Sequence, residues 1–147
     1  MNGSLLSSKN MGWETPIEFF NKLDEEFSFT LDPCASEGSQ RCKKYFTPEI
    51  DGLKQSWEGE RVFVNPPYGR EIKNWVKKCF EERERSEVVV MLIPARTDTT
   101  YFHDFIYKKA EIRFLRGRIK FVDPITKKTS DPAPFPSMVV VFRGVKG

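Results

Sequence analysis

Val88-Val89-Val90-Met91-Leu92-Ile93 is an unbroken apolar run. Such a run has no polar face to leave in water, so both of its faces must be covered, as in the central strand of a mostly parallel sheet. Pro94 ends it, and Arg96-Thr97-Asp98-Thr99 forms the loop and cap that follow. Upstream, Ile72, Trp75, Val76, Cys79 and Phe80 recur at the spacing of an amphipathic helix that runs into the charged stretch 81–87. Downstream, a helix carrying Tyr101, Phe102, Phe105, Ile106 and Ala110 leads to a strand from Glu111 to Leu115, and Gly117 turns the chain. The segment from Lys127 to Ser137, with Pro132, Pro134 and Pro136, reads as a long exposed connection to a last strand, Met138 to Phe142.

Before the central run, Thr15-Pro16-Ile17-Glu18 reads as a helix start, with Thr15 as N-cap, Pro16 at the first helical position and Glu18 placed for a capping box. That helix is predicted to run to about Glu26, burying Phe19, Phe20 and Leu23. Phe27 to Leu31 alternates like a strand, residues 36–60 are irregular, and Arg61 to Val64 is a short buried strand. Strands alternating with helices predict a three-layer α/β fold, Rossmann-like and mostly parallel, with an antiparallel C-terminal hairpin. Residues 1–11 read as a flexible arm and 12–147 as one catalytic domain.

With 147 residues, 39% of them hydrophobic and 31% charged, the chain is long enough for one core. No apolar run reaches the length of a membrane span, which predicts a soluble, cytoplasmic protein. Three cysteines, Cys34, Cys42 and Cys79, show no paired spacing, and His103 is the single histidine, so neither a disulfide framework nor a metal site is expected. A net charge of +3 permits a nucleic-acid partner without requiring one. Basic residues gather at Arg113, Arg116, Arg118, Lys120, Lys127 and Lys128.

Asn65-Pro66-Pro67-Tyr68 follows the strand Arg61 to Val64 directly, where ligands of parallel sheets bind. Two prolines stiffen the turn and remove two donors, leaving the Asn65 amide oxygen and the Pro66 carbonyl as acceptors for an NH2 group. Tyr68 offers an aromatic face to a planar ring. Hydrogen bonds to both hydrogens of a conjugated amine draw its lone pair out of conjugation, so this turn suits methylation of such an amine without a metal or strong base.

Five segments then occur in order: Trp13 to Pro16, Asp32 to Ala35, Asn65 to Tyr68, Pro94 to Thr99 and Gly117 to Phe121. In this the chain resembles the phage-type DNA N-6-adenine methyltransferases, small Dam-like enzymes that use S-adenosylmethionine. The resemblance implies that Asn65 and Pro66 hold the target amine, that Pro67 completes the catalytic turn, and that Tyr68 stacks on an adenine flipped out of double-stranded DNA. It places Trp13, Thr15, Pro16, Asp32, Pro33, Cys34 and Ala35 at the cofactor, although the glycine-rich turn of larger relatives is missing after Asp32. Thr15 is either the helix cap or a contact to the cofactor carboxylate, and both roles are compatible. Asp51, 19 positions beyond Asp32, meets the cofactor ribose, meets the cofactor adenine, or closes a turn with Gly52. Arg96, Arg116, Arg118 and Lys120 are the phosphate contacts, with an Arg96–Asp98 pair as the other reading. Trp57 reads as a core anchor and His103 as structural. The alternatives are methylation of RNA or of a protein glutamine through the same turn, or a catalytically silent DNA-binding domain. A bacterial host cell, with a phage or prophage gene, is the implied setting.

Overall fold

The computed structural model describes residues 13–36 and 38–144, so the arm expected over residues 1–11 lies outside the described residues. The elements are helix α1 (Ile17–Phe27), strands β1 (Leu31–Asp32), β2 (Lys44–Tyr45) and β3 (Arg61–Val64), helix α2 (Ile72–Glu82), and strands β4 (Val88–Pro94), β5 (Glu111–Phe114) and β6 (Ser137–Phe142). They form one Rossmann-like sheet in the order β2-β1-β3-β4-β6-β5. The pairs from β2 to β4 are parallel. β6 runs antiparallel to both neighbours, β4 and β5, as the predicted C-terminal hairpin requires.

β4 is buried throughout. Val89, Met91 and Ile93 join one core with Trp75, Val76 and Cys79 of α2, while Val88, Val90 and Leu92 join a second core with Phe20 and Phe27 of α1. The alternation of side chains along a strand divides the apolar run between two layers, which is why the sequence shows no polar face there. Tyr68 packs against both cores from the carboxyl edge of the sheet.

Four local expectations are corrected. Pro16, not Thr15, takes the N-cap position of α1, with extended backbone (φ −57°, ψ 137°) and no side-chain cap, so no capping box forms and the Thr15 hydroxyl is free for another partner. The strand expected from Phe27 shrinks to Leu31–Asp32, because Asp24 captures the chain at the helix end: its carbonyl accepts from Ser28 N–H at 2.8 Å and its carboxylate from Phe29 N–H at 2.8 Å. The helix expected to carry Tyr101 to Ala110 forms but is cut short: it spans residues 100–106, and Phe102–Ile106 takes the wider π form, closed by Tyr107 N–H on the Phe102 carbonyl at 2.8 Å. Finally, the connection before β6 is not simply exposed. Ala133 and Phe135 are buried while Pro132, Pro134 and Pro136, which alternate with them, face solvent, and Ala133 N–H donates to the Ile119 carbonyl at 2.9 Å.

Trp57 is fully buried, stacks on Trp75 at 6.4 Å and donates its indole N–H to the Gly52 carbonyl at 3.1 Å, the core anchor expected of it. Glu82, also buried, accepts from Trp57 N–H at 3.1 Å, Lys78 at 3.1 Å and Arg85 at 2.6 Å, so its charge is paired where α2 meets the 52–57 segment. Among the described residues, no helix is long and apolar enough to cross a membrane.

Candidate active site

From β1 the chain steps outward to β2 and then returns to β3 on the other side of β1, so the strand order reverses between β1 and β3. A crevice opens beyond the carboxyl ends of the strands at such a point. Here it is flanked by the segments that follow β1 and β3, namely Asp32 to Ala35 and Asn65 to Tyr68.

The Asn65 amide joins three parts of the chain. Its Nδ2 donates to the Trp13 carbonyl at 3.1 Å and to the Thr15 hydroxyl at 2.9 Å, and its Oδ1 accepts from the Tyr68 hydroxyl at 3.0 Å. A peptide carbonyl can only accept, so the amide nitrogen must be the end that faces Trp13. The Tyr68 hydroxyl also lies 3.2 Å from the Leu92 carbonyl, and burial pushes its pKa well up, keeping it a neutral donor. Oδ1 retains a second lone pair. Among the described residues, nothing donates to the Pro66 carbonyl.

Beside this amide lies a cleft of about 160 Å³ lined by Trp13, Thr15, Asp32, Cys34, Ala35 and Arg41. Asp32 is 5% exposed and accepts from Cys34 N–H at 3.3 Å and Arg41 N–H at 3.0 Å. The guanidinium of Arg41 is turned to the Thr15 carbonyl, at 3.2 Å from Nε and 2.6 Å from Nη2. Burial therefore outweighs the backbone hydrogen bonds and raises the Asp32 pKa to about 6. A carboxylate held in this way favours a cation in the cleft, and the small side chains of Cys34 and Ala35 leave room for one.

This shift ties stability to pH. Asp32 binds a proton more tightly in the folded chain, at about 6, than at its ordinary 3.8, so its contribution to stability is complete below the lower value and lost as pH rises through the higher. The penalty at neutral pH is about 3 kcal/mol. Two other carboxylates shift the other way. Burial works to raise Glu82, but its bonds to Arg85, Lys78 and Trp57 N–H outweigh it, and Arg143 and Arg113 hold Glu111 low. Both contribute stability that is lost as pH falls through the carboxylate range. The free protein should therefore melt at a higher temperature at pH 5 than at pH 7. A thermal scan of wild type and Asp32→Asn checks this: the variant should lose most of the difference, and an equal pH response in both would sink the assignment to Asp32.

The structure thus brings Trp13, Thr15, Asp32, Cys34 and Ala35 together with Asn65 and Pro67 around one cleft. Pro33 is buried behind it, and Pro16 lies instead on a groove of about 600 Å³ shared with Arg116, Arg118 and Lys120. Asp51 closes a turn: in left-handed backbone (φ 63°), its side chain accepts from Leu53 N–H at 3.2 Å. Arg96 is exposed, with its guanidinium 5.7 Å from the Phe135 ring centre. Sequence reading missed Arg41, which sits in the irregular stretch where no periodicity marks it. It also missed an open groove of about 830 Å³ following Tyr68, lined by Arg70, Lys73, Lys77 and Tyr101. In sequence, nothing separates those cations from an ordinary solvated helix face.

A profile of the family described as DNA N-6-adenine-methyltransferase (Dam) matches residues 3–147. The chain belongs to that Dam family. Two curated Dam relatives carry the name DNA N-6-adenine-methyltransferase. The one from Escherichia phage T1 is 30% identical over 151 aligned positions, covering 91% of this chain and 63% of the relative. The one from Haemophilus phage HP1 is 29% identical over 133, covering 88% and 77%. This Dam chain thus spans less than two thirds of the phage T1 relative. A crystal structure from Thermoplasma acidophilum superposes over 100% of both chains with a TM-score of 0.51 at 10% identity, a likeness of fold.

Proposed function

We propose that this Dam-family chain transfers a methyl group from S-adenosylmethionine to the N6 amino group of adenine in DNA. The observation that carries the reading is the Asn65 amide, locked at the strand-order reversal with one Oδ1 lone pair and the Pro66 carbonyl left as acceptors. The family match and the two phage relatives support it.

In this reading Asn65 and Pro66 accept hydrogen bonds from the two amino hydrogens, which frees the nitrogen lone pair. Pro67 keeps the turn rigid, so the acceptors are in place before the base arrives. Tyr68 is half-buried, with its hydroxyl engaged and its ring nearly perpendicular to Phe121 and Phe135, at 5.9 and 5.7 Å. It presents only its remaining surface to a base. S-adenosylmethionine, when bound, supplies an activated methyl group on a sulfonium centre. Trp13, Thr15, Asp32, Cys34 and Ala35 would hold its methionine end, and the poorly solvated Asp32 carboxylate suits that end's positive charge. Chemistry on a stacked base requires the adenine to leave the duplex.

DNA phosphates are served by cations on either side of Tyr68. Arg116, Arg118 and Lys120 flank the α1 layer, and Arg70, Lys73 and Lys77 the α2 layer. Replacing Arg70 and Lys73 by Ala should weaken duplex binding similarly for all sequences and reduce the slope of log affinity against log salt by about 1 for each phosphate no longer neutralised. Arg118→Ala should act in the same way, although its guanidinium also holds the Ala133 carbonyl at 3.1 Å. Fluorescence anisotropy over a salt series measures this, and an unaltered slope would remove that cation from the interface.

The deciding experiment incubates the protein with S-adenosylmethionine and unmethylated duplex DNA, then digests the DNA to nucleosides for mass spectrometry. N6-methyl-deoxyadenosine is expected. Product on RNA or protein alone would overturn the DNA reading, and cofactor binding without product on any of the three would overturn the catalytic one.

A further inference from the structure

We infer that Thr15 is a positioning residue: with the Trp13 carbonyl it clasps the Asn65 amide nitrogen, presents the amide oxygen for reaction, and requires asparagine rather than aspartate at position 65. The kinetic part of this inference rests on the methyl-transfer reading, whereas the clasp itself does not.

The torsion that turns an asparagine amide is soft and nearly two-fold, so an unsupported amide presents nitrogen or oxygen to a target almost indifferently. Two oxygen atoms from one short segment remove that freedom here. The Trp13 carbonyl, 3.1 Å from Nδ2, accepts only, and turning the amide over would set oxygen against oxygen. The Thr15 hydroxyl, 2.9 Å from the same nitrogen, supplies the second acceptor. Thr15 is 3% exposed, so water does not replace it readily.

The segment itself is tied down on two sides. Glu14 and Val122 exchange backbone hydrogen bonds at 2.9 and 3.0 Å, and Arg41 holds the Thr15 carbonyl at 2.6 Å. The Glu14 carboxylate, buried, lies 3.6 Å from Arg41 and 2.5 Å from Lys127. The loss of Thr15 from the α1 N-cap fits this picture, because its hydroxyl serves the catalytic turn instead.

Aspartate at position 65 has no proton to place between its carboxylate and the Trp13 carbonyl. A rotated Thr15 hydroxyl could donate to one carboxylate oxygen, but a peptide carbonyl has nothing to donate. In this chain the clasp therefore selects asparagine over aspartate at position 65.

The test compares Thr15→Ser, which keeps the hydroxyl, with Thr15→Val and Thr15→Ala, which lack it. In the free protein, nitrogen-resolved NMR should show the Asn65 side-chain amide protons exchanging slowly with water in wild type and in Thr15→Ser. Exchange should be fast and the resonances displaced in Thr15→Val and Thr15→Ala. Turnover should follow the same division, with kcat reduced about tenfold or more in the variants without a hydroxyl and KM for DNA unchanged. Unchanged Asn65 amide signals in both of those variants would overturn the clasp, as would a loss in Thr15→Ser equal to theirs. A wild-type protein that makes no methylated product would retire the functional reading and leave the NMR comparison to decide the clasp.

Discussion

Asn65→Ala is expected to abolish methyl transfer, lowering kcat by about 10³-fold or more, while the protein stays folded and still binds S-adenosylmethionine. The side chain is only half-buried, so its removal empties no core, and the fold gives up only its hydrogen bonds to the Trp13 carbonyl and to the Thr15 and Tyr68 hydroxyls. What disappears is the acceptor that the proposed mechanism sets against the amine. Asn65→Asp should be almost as inactive for a different reason, since the carboxylate cannot satisfy the Trp13 carbonyl. Single-turnover assays with calorimetry of cofactor binding separate the two effects. Near-normal turnover by the alanine variant would refute the mechanism.

Gly52→Ala is the second large effect, and it acts from outside the cleft. A Cβ at this position would lie 2.1 Å from the Pro33 carbonyl oxygen and 3.0 Å from its carbon, both backbone atoms. Neither partner is free to retreat. Gly52 is held by the Asp51 turn before it and by the Trp57 indole on its own carbonyl, while Pro33 lies between Asp32 and Cys34 of the cleft wall. The overpacking should cost about 1–3 kcal/mol and push the wall out of register, so that cofactor affinity falls together with stability. Urea unfolding and calorimetry read the two losses. Gly59→Ala is the control: its left-handed backbone (φ +75°) brings strain, but a Cβ there meets nothing within 4 Å, and cofactor binding should be retained. A Gly52→Ala protein with wild-type stability and affinity would show that this wall yields more easily than its close packing indicates.

The layered fold was legible because β4 and α2 carry their periodicity openly: one is apolar throughout, and the other repeats at helical spacing. The two strand ends that flank the cleft were legible through Asp32 and Asn65. The clasp was not, because it joins residues 50 and 52 positions apart, and the Thr15-Pro16 pair also reads well as a local helix start. Phe29 misled for a similar reason. Its alternation with Phe27 suggested a strand, whereas its ring packs 5.5 Å from Phe20 and 5.3 Å from Phe63 and its amide is held by Asp24. The prolines before β6 signalled a spacer, but the buried side chains between them bind the segment to the α1 layer. In each case a tertiary interaction used a residue whose local meaning was also sound.

The order of the strands also decides which parts of the sheet a second chain could reach. A free sheet edge is a template for another chain, and short or charged edges are the usual protection. One edge here is β2, only two residues long, where Lys44 pairs with Glu60. The other is β5, where Glu111 binds Arg143 at 2.5 Å and Arg113 binds Glu26 at 2.7 Å. The long apolar strands β4 and β6 are kept inside, so the most fibril-prone stretches of this chain are the ones its topology never offers to a neighbour.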